Sequence, residues 1–305
     1  MSAMKNRRLG DRITSAIGLG GAKLSLREDR PSEAQSVRTL HAAWTAGCSL
    51  VDTSDIYALN AEDTGHNERL IRHAIDSWDG DRSSITIATK GGQWWDGATP
   101  RFTGGHDYLR SACEASRRAL DVDQIDLYLL HRLPADYSPT GARAGDDFLE
   151  SLETLAALRD EGKVAAIGLS NVDAAMLRTA LEFGPVAAIE NPLNVLVPPP
   201  ADQIELCAEY DVAFLGWGSL RGTLAADASS SPSPVTSRLL AILTDIAAAH
   251  GVSLQVATLA WELGISSDII PLVGARRPES ILASLSAVEL TLTEHESERL
   301  AAALL

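Results

Sequence analysis

Cysteine is scarce in this chain of 305 residues, with only Cys48, Cys113 and Cys207. An odd number at these spacings fits neither a disulfide framework nor a metal site. Small buried thiols in a reducing compartment are expected instead. Aromatic residues make up 5% of the chain, so a core of any size must be aliphatic. Positive charge is also short: 26 Lys and Arg stand against 41 Asp and Glu, for a net charge of −15. Phosphate-backbone contact needs a basic face, so no nucleic acid partner is expected, and an anionic small molecule would need positive charge gathered locally. No apolar run is long enough to span a bilayer. The opening MSAMKNRRLGDRITS carries basic residues but no apolar stretch of signal length. The expectation is a cytoplasmic protein with no membrane partner, its oligomeric state open.

What is present is alternation. Short apolar runs occur at Ala16 to Leu19, Leu50 to Asp52, Ile85 to Thr89, Ile125 to Leu130, Val164 to Leu169, Val186 to Glu190, Val212 to Gly216 and Ile269 to Val273. Between them lie amphipathic stretches of helical period, such as Ser32 to Ala46, Asp107 to Leu120 and Ala201 to Tyr210. Pro31-Ser32 with Gln35 reads as a capping box, and Gly47 as a C-cap. Near-continuous apolar strands separated by helices belong to a parallel sheet buried on both faces. Eight repeats predict an α/β fold, a (β/α)8 TIM barrel, as a single domain over residues 1–305. Such barrels commonly reach ~250 residues. Arg8 to Thr14, around Gly10-Asp11, reads as a short N-terminal β-hairpin. An open doubly wound sheet is the alternative. It would give Gly18 and Gly20 a phosphate role, but position 23 is Lys where a third Gly would stand.

Three long connections, Gly91 to Gly105, Arg132 to Gly145 and Leu220 to Pro234, all follow strands. They therefore belong to the C-terminal face, where barrels of this kind place their active sites. Asp52, Lys90 and His131 stand at or just past strand ends, and Tyr57 follows the second strand closely. Barrel closure would gather an acid, an amine, an imidazole and a phenol at one mouth. A free phenol has a pKa of about 10. A neighbouring ammonium is expected to lower it, so that Tyr57 can act as a general acid toward a developing alkoxide. Asp52 would keep Lys90 charged, and His131 would orient the carbonyl. Singly, each residue also fits a bland role: Asp52 in a turn, Lys90 at a solvated strand end, His131 ahead of a loop, Tyr57 in packing.

The segments LVDTSDIYALNAEDTGHNERLI, IATKGG and IDLYLLHRLP together resemble the aldo-keto reductase family, from RRLG near residue 8 to about residue 290. The resemblance implies NADPH-dependent reduction of an aldehyde or ketone, with NADH as the other candidate cofactor. It implies cofactor contacts at Gly20 and Gly21, at Ser170 and Asn171 in GLSN, and at Glu190, where the family usually has Gln. Trp217 would stack on the nicotinamide, with Ser219, Leu220 and Gly222 along the pyrophosphate. In PLVGARRPES, Gly274, Arg276, Arg277 and Glu279 match the segment gripping an adenosine 2′-phosphate, for which an Arg fork is suited. Ala58, Arg72 and Ala283-Ser284 depart from the family's common residues. Trp94, Trp95, Phe102 and Tyr137 are the candidate aromatic walls of a pocket for the small-molecule carbonyl substrate. The competing expectation is a cofactor-sensing regulatory subunit of the same fold that turns over very slowly.

Overall fold

The computed structural model describes residues 4–97, 99–134, 146–197, 200–223 and 233–304. Tyr137 and most of the connection from Arg132 to Gly145 lie outside these residues, as does much of Leu220 to Pro234. The chain opens with an antiparallel hairpin, β1 (Asn6–Leu9) and β2 (Arg12–Ser15), turning at Gly10 with φ 56°. Then follow β3 (Gly18–Gly20), α1 (Glu33–Thr45), β4 (Leu50–Asp52), α2 (His66–Asp76) and β5 (Thr86–Gly91). A second hairpin, β6 (Gln93–Asp96) and β7 (Thr99–Phe102), precedes α3 (His106–Leu120) and β8 (Ile125–His131). Next come α4 (Asp146–Asp160), β9 (Val164–Ser170), α5 (Ala174–Phe183) and β10 (Ala188–Pro192). The chain continues through α6 (Ala201–Tyr210), β11 (Ala213–Trp217), α7 (Pro234–His250), α8 (Leu254–Ile265) and β12 (Ile269–Val273), and ends with α9 (Pro278–Leu285) and α10 (Glu294–Ala303).

Strands β3, β4, β5, β8, β9, β10, β11 and β12 pair in parallel, each with the next, and β12 pairs back to β3 to close the barrel. The eight expected strands are these eight. Their interior is aliphatic, as the low aromatic content required: Leu50, Ala88, Leu127, Leu129, Ala213, Leu215, Ile270 and Leu272 fill it. Leu9 of the first hairpin joins this cluster, so the hairpin plugs the end where the strands begin. All three cysteines are buried and free.

Four details differ from the expectations. The stretch Gly91 to Gly105 is not all loop, because it contains the β6–β7 hairpin. Helix α10 was not read from the sequence, although Thr293 and Glu296 form a full capping box at its start. At α1 only half of the expected box exists: Ser32 accepts from the Gln35 amide, but the Gln35 side chain donates to the Arg276 carbonyl at 3.3 Å. The sixth strand begins at Ala188 rather than Val186, since Val186 and Ala187 still belong to the approach from α5.

Candidate active site

The mouth is built from strand ends. Asp52 closes β4, Lys90 is the penultimate residue of β5 and His131 closes β8. Because β4, β5 and β8 are consecutive neighbours, the three side chains are brought together by pairing alone. Tyr57 arrives on the turn after β4. Close approach of the chain is needed here, and Gly21 permits it: a Cβ at that position would lie 2.2 Å from Asn67 Oδ1 and 2.8 Å from the Asp52 carbonyl. Asn67 in turn accepts from the Thr53 hydroxyl at 2.7 Å and donates to the Gly21 carbonyl at 3.0 Å, locking the ends of β3 and β4.

Lys90 is fully buried and is the hub. Its ammonium donates to Asp52 Oδ1, to the Thr53 carbonyl at 3.0 Å and to Tyr57 Oη at 3.1 Å. The Tyr57 and His131 rings meet edge to face with centroids 6.0 Å apart. His131 Nδ1 lies 3.1 Å from Ser54 Oγ, which leaves Nε2 for another partner. Burial first, then the nearby Lys90 charge, hold the imidazole well below its ordinary pKa, so it is neutral at physiological pH.

The expected lowering of the Tyr57 pKa is overturned. Burial, then the Asp52 carboxylate, push the phenol well above 10, and Glu190 adds to this; Lys90 alone opposes them. One ammonium cannot offset desolvation and two carboxylates. The phenol is thus held firmly in its proton-bearing form.

The residues matched to cofactor contacts gather on the same face, at the ends of β9 to β12 and just beyond. Ser170 ends β9. Asn171 adopts the left-handed conformation at φ 58° and donates to the Arg132 carbonyl at 2.7 Å, while its Oδ1 is buried without a partner among the described residues. Glu190 on β10 points into the hub, with Oε2 3.2 Å from Lys90 Nζ. Trp217 ends β11 half-buried, and the Ser219 hydroxyl turns back to the Gly216 carbonyl at 3.1 Å. Leu220 is buried, and Gly222 turns at φ 78° with no room for a Cβ beside Leu196. Gly274 follows β12 against the Lys23 side chain. Arg277 precedes Pro278 as the N-cap of α9, and Glu279 lies in that helix's first turn. Arg276 is engaged, since its Nη1 pairs with Asp29 at 2.9 Å; its Nη2 is buried without a partner among the described residues.

Of the aromatic candidates, Trp95 donates from Nε1 to the Ile56 carbonyl at 3.1 Å, so the β6–β7 hairpin is tied to the turn carrying Tyr57. Trp94 is 41% exposed. Phe102 is covered by the Arg132 guanidinium, 5.0 Å from its ring centre. One surface depression lies at the other end of the barrel, lined by Arg12, Asp81 and Asp126 among others; it shares no residue with this cluster.

Sequence reasoning passed over Thr53, Ser54, Asn67 as a tether, and Asp29. Thr53 and Ser54 read as turn residues. Asp29 pairs across 247 positions, and no local pattern signals that.

Comparison with known proteins identifies the family and the fold. Residues 16–304 match the Aldo/keto reductase family. A relative from Glycine max, named "Probable aldo-keto reductase 1", is 26% identical over 303 residues, covering 92% of this chain and 83% of its own. An uncharacterized oxidoreductase of Schizosaccharomyces pombe is 27% identical over 296 residues, covering 94% and 85%. Among solved structures, a thermostable aldo-keto reductase in complex with epalrestat matches at 25% identity with a TM-score of 0.76, over 98% of this chain and 100% of that one. A glycerol dehydrogenase from Gluconobacter oxydans has the same fold at 23% identity and a TM-score of 0.82, over 100% of this chain and 96% of its own. An aldo-keto reductase from Klebsiella pneumoniae, solved in complex with NADPH, does so at 22% identity and a TM-score of 0.77, over 98% and 94%.

Fold and mouth therefore define a barrel oxidoreductase. The chain belongs to the Aldo/keto reductase family.

Proposed function

We propose that this protein reduces an aldehyde or ketone with NADPH, reversibly, and that Tyr57 is the proton donor. The observation that carries the proposal is the buried ammonium of Lys90 hydrogen-bonded at once to Asp52 and to Tyr57 Oη, with the neutral His131 ring against the same phenol. A bound NADPH would supply the hydride. The chain's own residues then have distinct tasks. His131 meets the carbonyl oxygen through Nε2 and fixes its direction. Tyr57 keeps its proton until negative charge develops on that oxygen, then delivers it. Lys90 stabilises the phenolate left behind, and Asp52 holds Lys90 charged and aimed.

Two of the buried polar atoms without partners among the described residues support cofactor binding at this mouth. Asn171 Oδ1 suits an amide N–H, and Arg276 Nη2 suits a phosphate oxygen. The NADPH held by the Klebsiella pneumoniae relative is consistent with that use. Arg276 favours NADPH over NADH in a chain otherwise so acidic. The β6–β7 hairpin, with Trp94 and Trp95, forms the substrate side.

The test is Tyr57→Phe. Turnover of a carbonyl panel should fall by roughly three orders of magnitude or more, at the scale of a lost general acid, while NADPH binding followed by fluorescence is unchanged. Near-full activity in that variant would refute the assignment.

A further inference from the structure

The hub holds one buried ammonium and two buried carboxylates. The Lys90 side chain is 0% exposed, Asp52 4% and Glu190 3%. An ammonium has three N–H donors. Those of Lys90 go to Asp52, the Thr53 carbonyl and Tyr57. Glu190 Oε2 lies 3.2 Å away, yet it has no hydrogen-bond partner among the described residues.

The strands flanking Glu190 bring no compensating charge, since it stands opposite Ser170 on β9 and Leu215 on β11. Tyr57 and His131 beside it are uncharged at neutral pH, and the nearby Asp55 and Glu68 bring no positive charge, being carboxyls that burial raises above their ordinary values. Two ionised carboxylates would therefore leave a net negative charge sealed from water, a costly arrangement that one proton relieves. Asp52 is the carboxylate that the ammonium bonds. The proton belongs on Glu190.

We propose that Glu190 is a positioning residue: a carboxylic acid held neutral between Asp52 and Lys90, whose ionisation makes Tyr57 a poorer proton donor. Its role in turnover rests on the reductase reading above, whereas its protonation does not. Burial, ahead of the Asp52 charge, pushes the carboxyl up to about 8. Below that pH the hub is one ammonium with one carboxylate. Above it a second negative charge faces the phenol and raises its pKa further. Reduction should therefore slow as pH rises through the Glu190 carboxyl.

Two measurements test this, using Glu190→Gln, which keeps shape and neutrality. The first is infrared titration of the protein without cofactor. Wild type should show a carboxylic-acid carbonyl band that disappears with rising pH and is missing from E190Q, over and above the bands of the other buried acids, Asp55, Glu68 and Glu262. The second is the pH profile of reduction. The kcat/KM of wild type should fall as pH rises past the Glu190 carboxyl, toward the lower rate of the ionised form, and E190Q should stay level over that range. Glu190→Asp should restore a titrating band and a limb.

A band that persists unchanged in E190Q, or an E190Q profile with the wild-type alkaline limb, would overturn the proposal. A wild type that reduces no carbonyl while the band behaves as expected would overturn the reductase reading and leave the protonation of Glu190 upheld.

Discussion

Tyr57 shows how a single side chain answers to its surroundings rather than to its type. Beside Lys90 alone it would titrate low. Buried among Asp52, Glu190 and Lys90, it titrates high. A donor that holds its proton until the transition state is served by a partner that stabilises the product phenolate, and Lys90 does this at 3.1 Å. Arg276 illustrates the same dependence: the fork matched to a phosphate already pairs with Asp29 through one nitrogen and keeps the other unpartnered. Replacing Arg276 by Met should weaken NADPH binding roughly 10- to 100-fold, the scale of a charge-assisted hydrogen bond, and leave NADH binding nearly as it is. Fluorescence titration with both cofactors checks this. An equal effect on the two would remove Arg276 from the 2′-phosphate.

Among the elements, the β6–β7 hairpin has the clearest functional consequence. It leaves the barrel directly after β5, the strand of Lys90, and returns to the turn of Tyr57 through the Trp95 Nε1 bond to Ile56. Trp95→Phe keeps most of the ring and removes that bond. The expected loss is about 1 kcal/mol, or about fivefold in kcat/KM, with the melting temperature almost unmoved. Unchanged kinetics would show that the tether does not order the catalytic turn. Helix α1 is tied to the mouth in a similar way, by the Gln35 side chain on the Arg276 carbonyl. Its amphipathic period and caps were readable in the sequence. The partners of Gln35 were not, because its amide oxygen can accept from its own helix start or, as here, from Arg38, while its N–H reaches Arg276, and only packing chooses.

Across the whole molecule, the stability of the fold carries a buried acid with no ionic role. Glu262 on α8 is fully buried, neither oxygen has a hydrogen-bond partner among the described residues, and Ser219 is a polar group beside it. Burial raises its pKa well above the ordinary value of 4.5. The folded state therefore binds a proton that the unfolded state releases as pH rises past that ordinary value. Its stability declines with increasing pH from there upward. Glu262→Gln should raise the melting temperature at neutral pH by on the order of a few °C, with the gain shrinking toward acid. Parallel thermal melts from acid to neutral pH test this, and a gain independent of pH would mean that the carboxyl's charge is not the cause.

The repeating pattern is legible in the chain alone: eight buried parallel strands, most helix limits, and the strand-end positions of Asp52, Lys90 and His131. These follow from local rules, because hydrophobic period and turn chemistry act over a few residues. Tyr57 was placed by its position just behind the second strand, and motif resemblance supplied the candidate cofactor contacts. Only the tertiary structure decided what those groups experience. Barrel closure set Glu190 beside Lys90 across 100 positions of chain, turned the expected acidification of Tyr57 into its opposite, and paired Arg276 with Asp29. Charge and desolvation act through space, so the protonation of a phenol or a carboxyl is a property of the folded mouth and not of the segment that bears it.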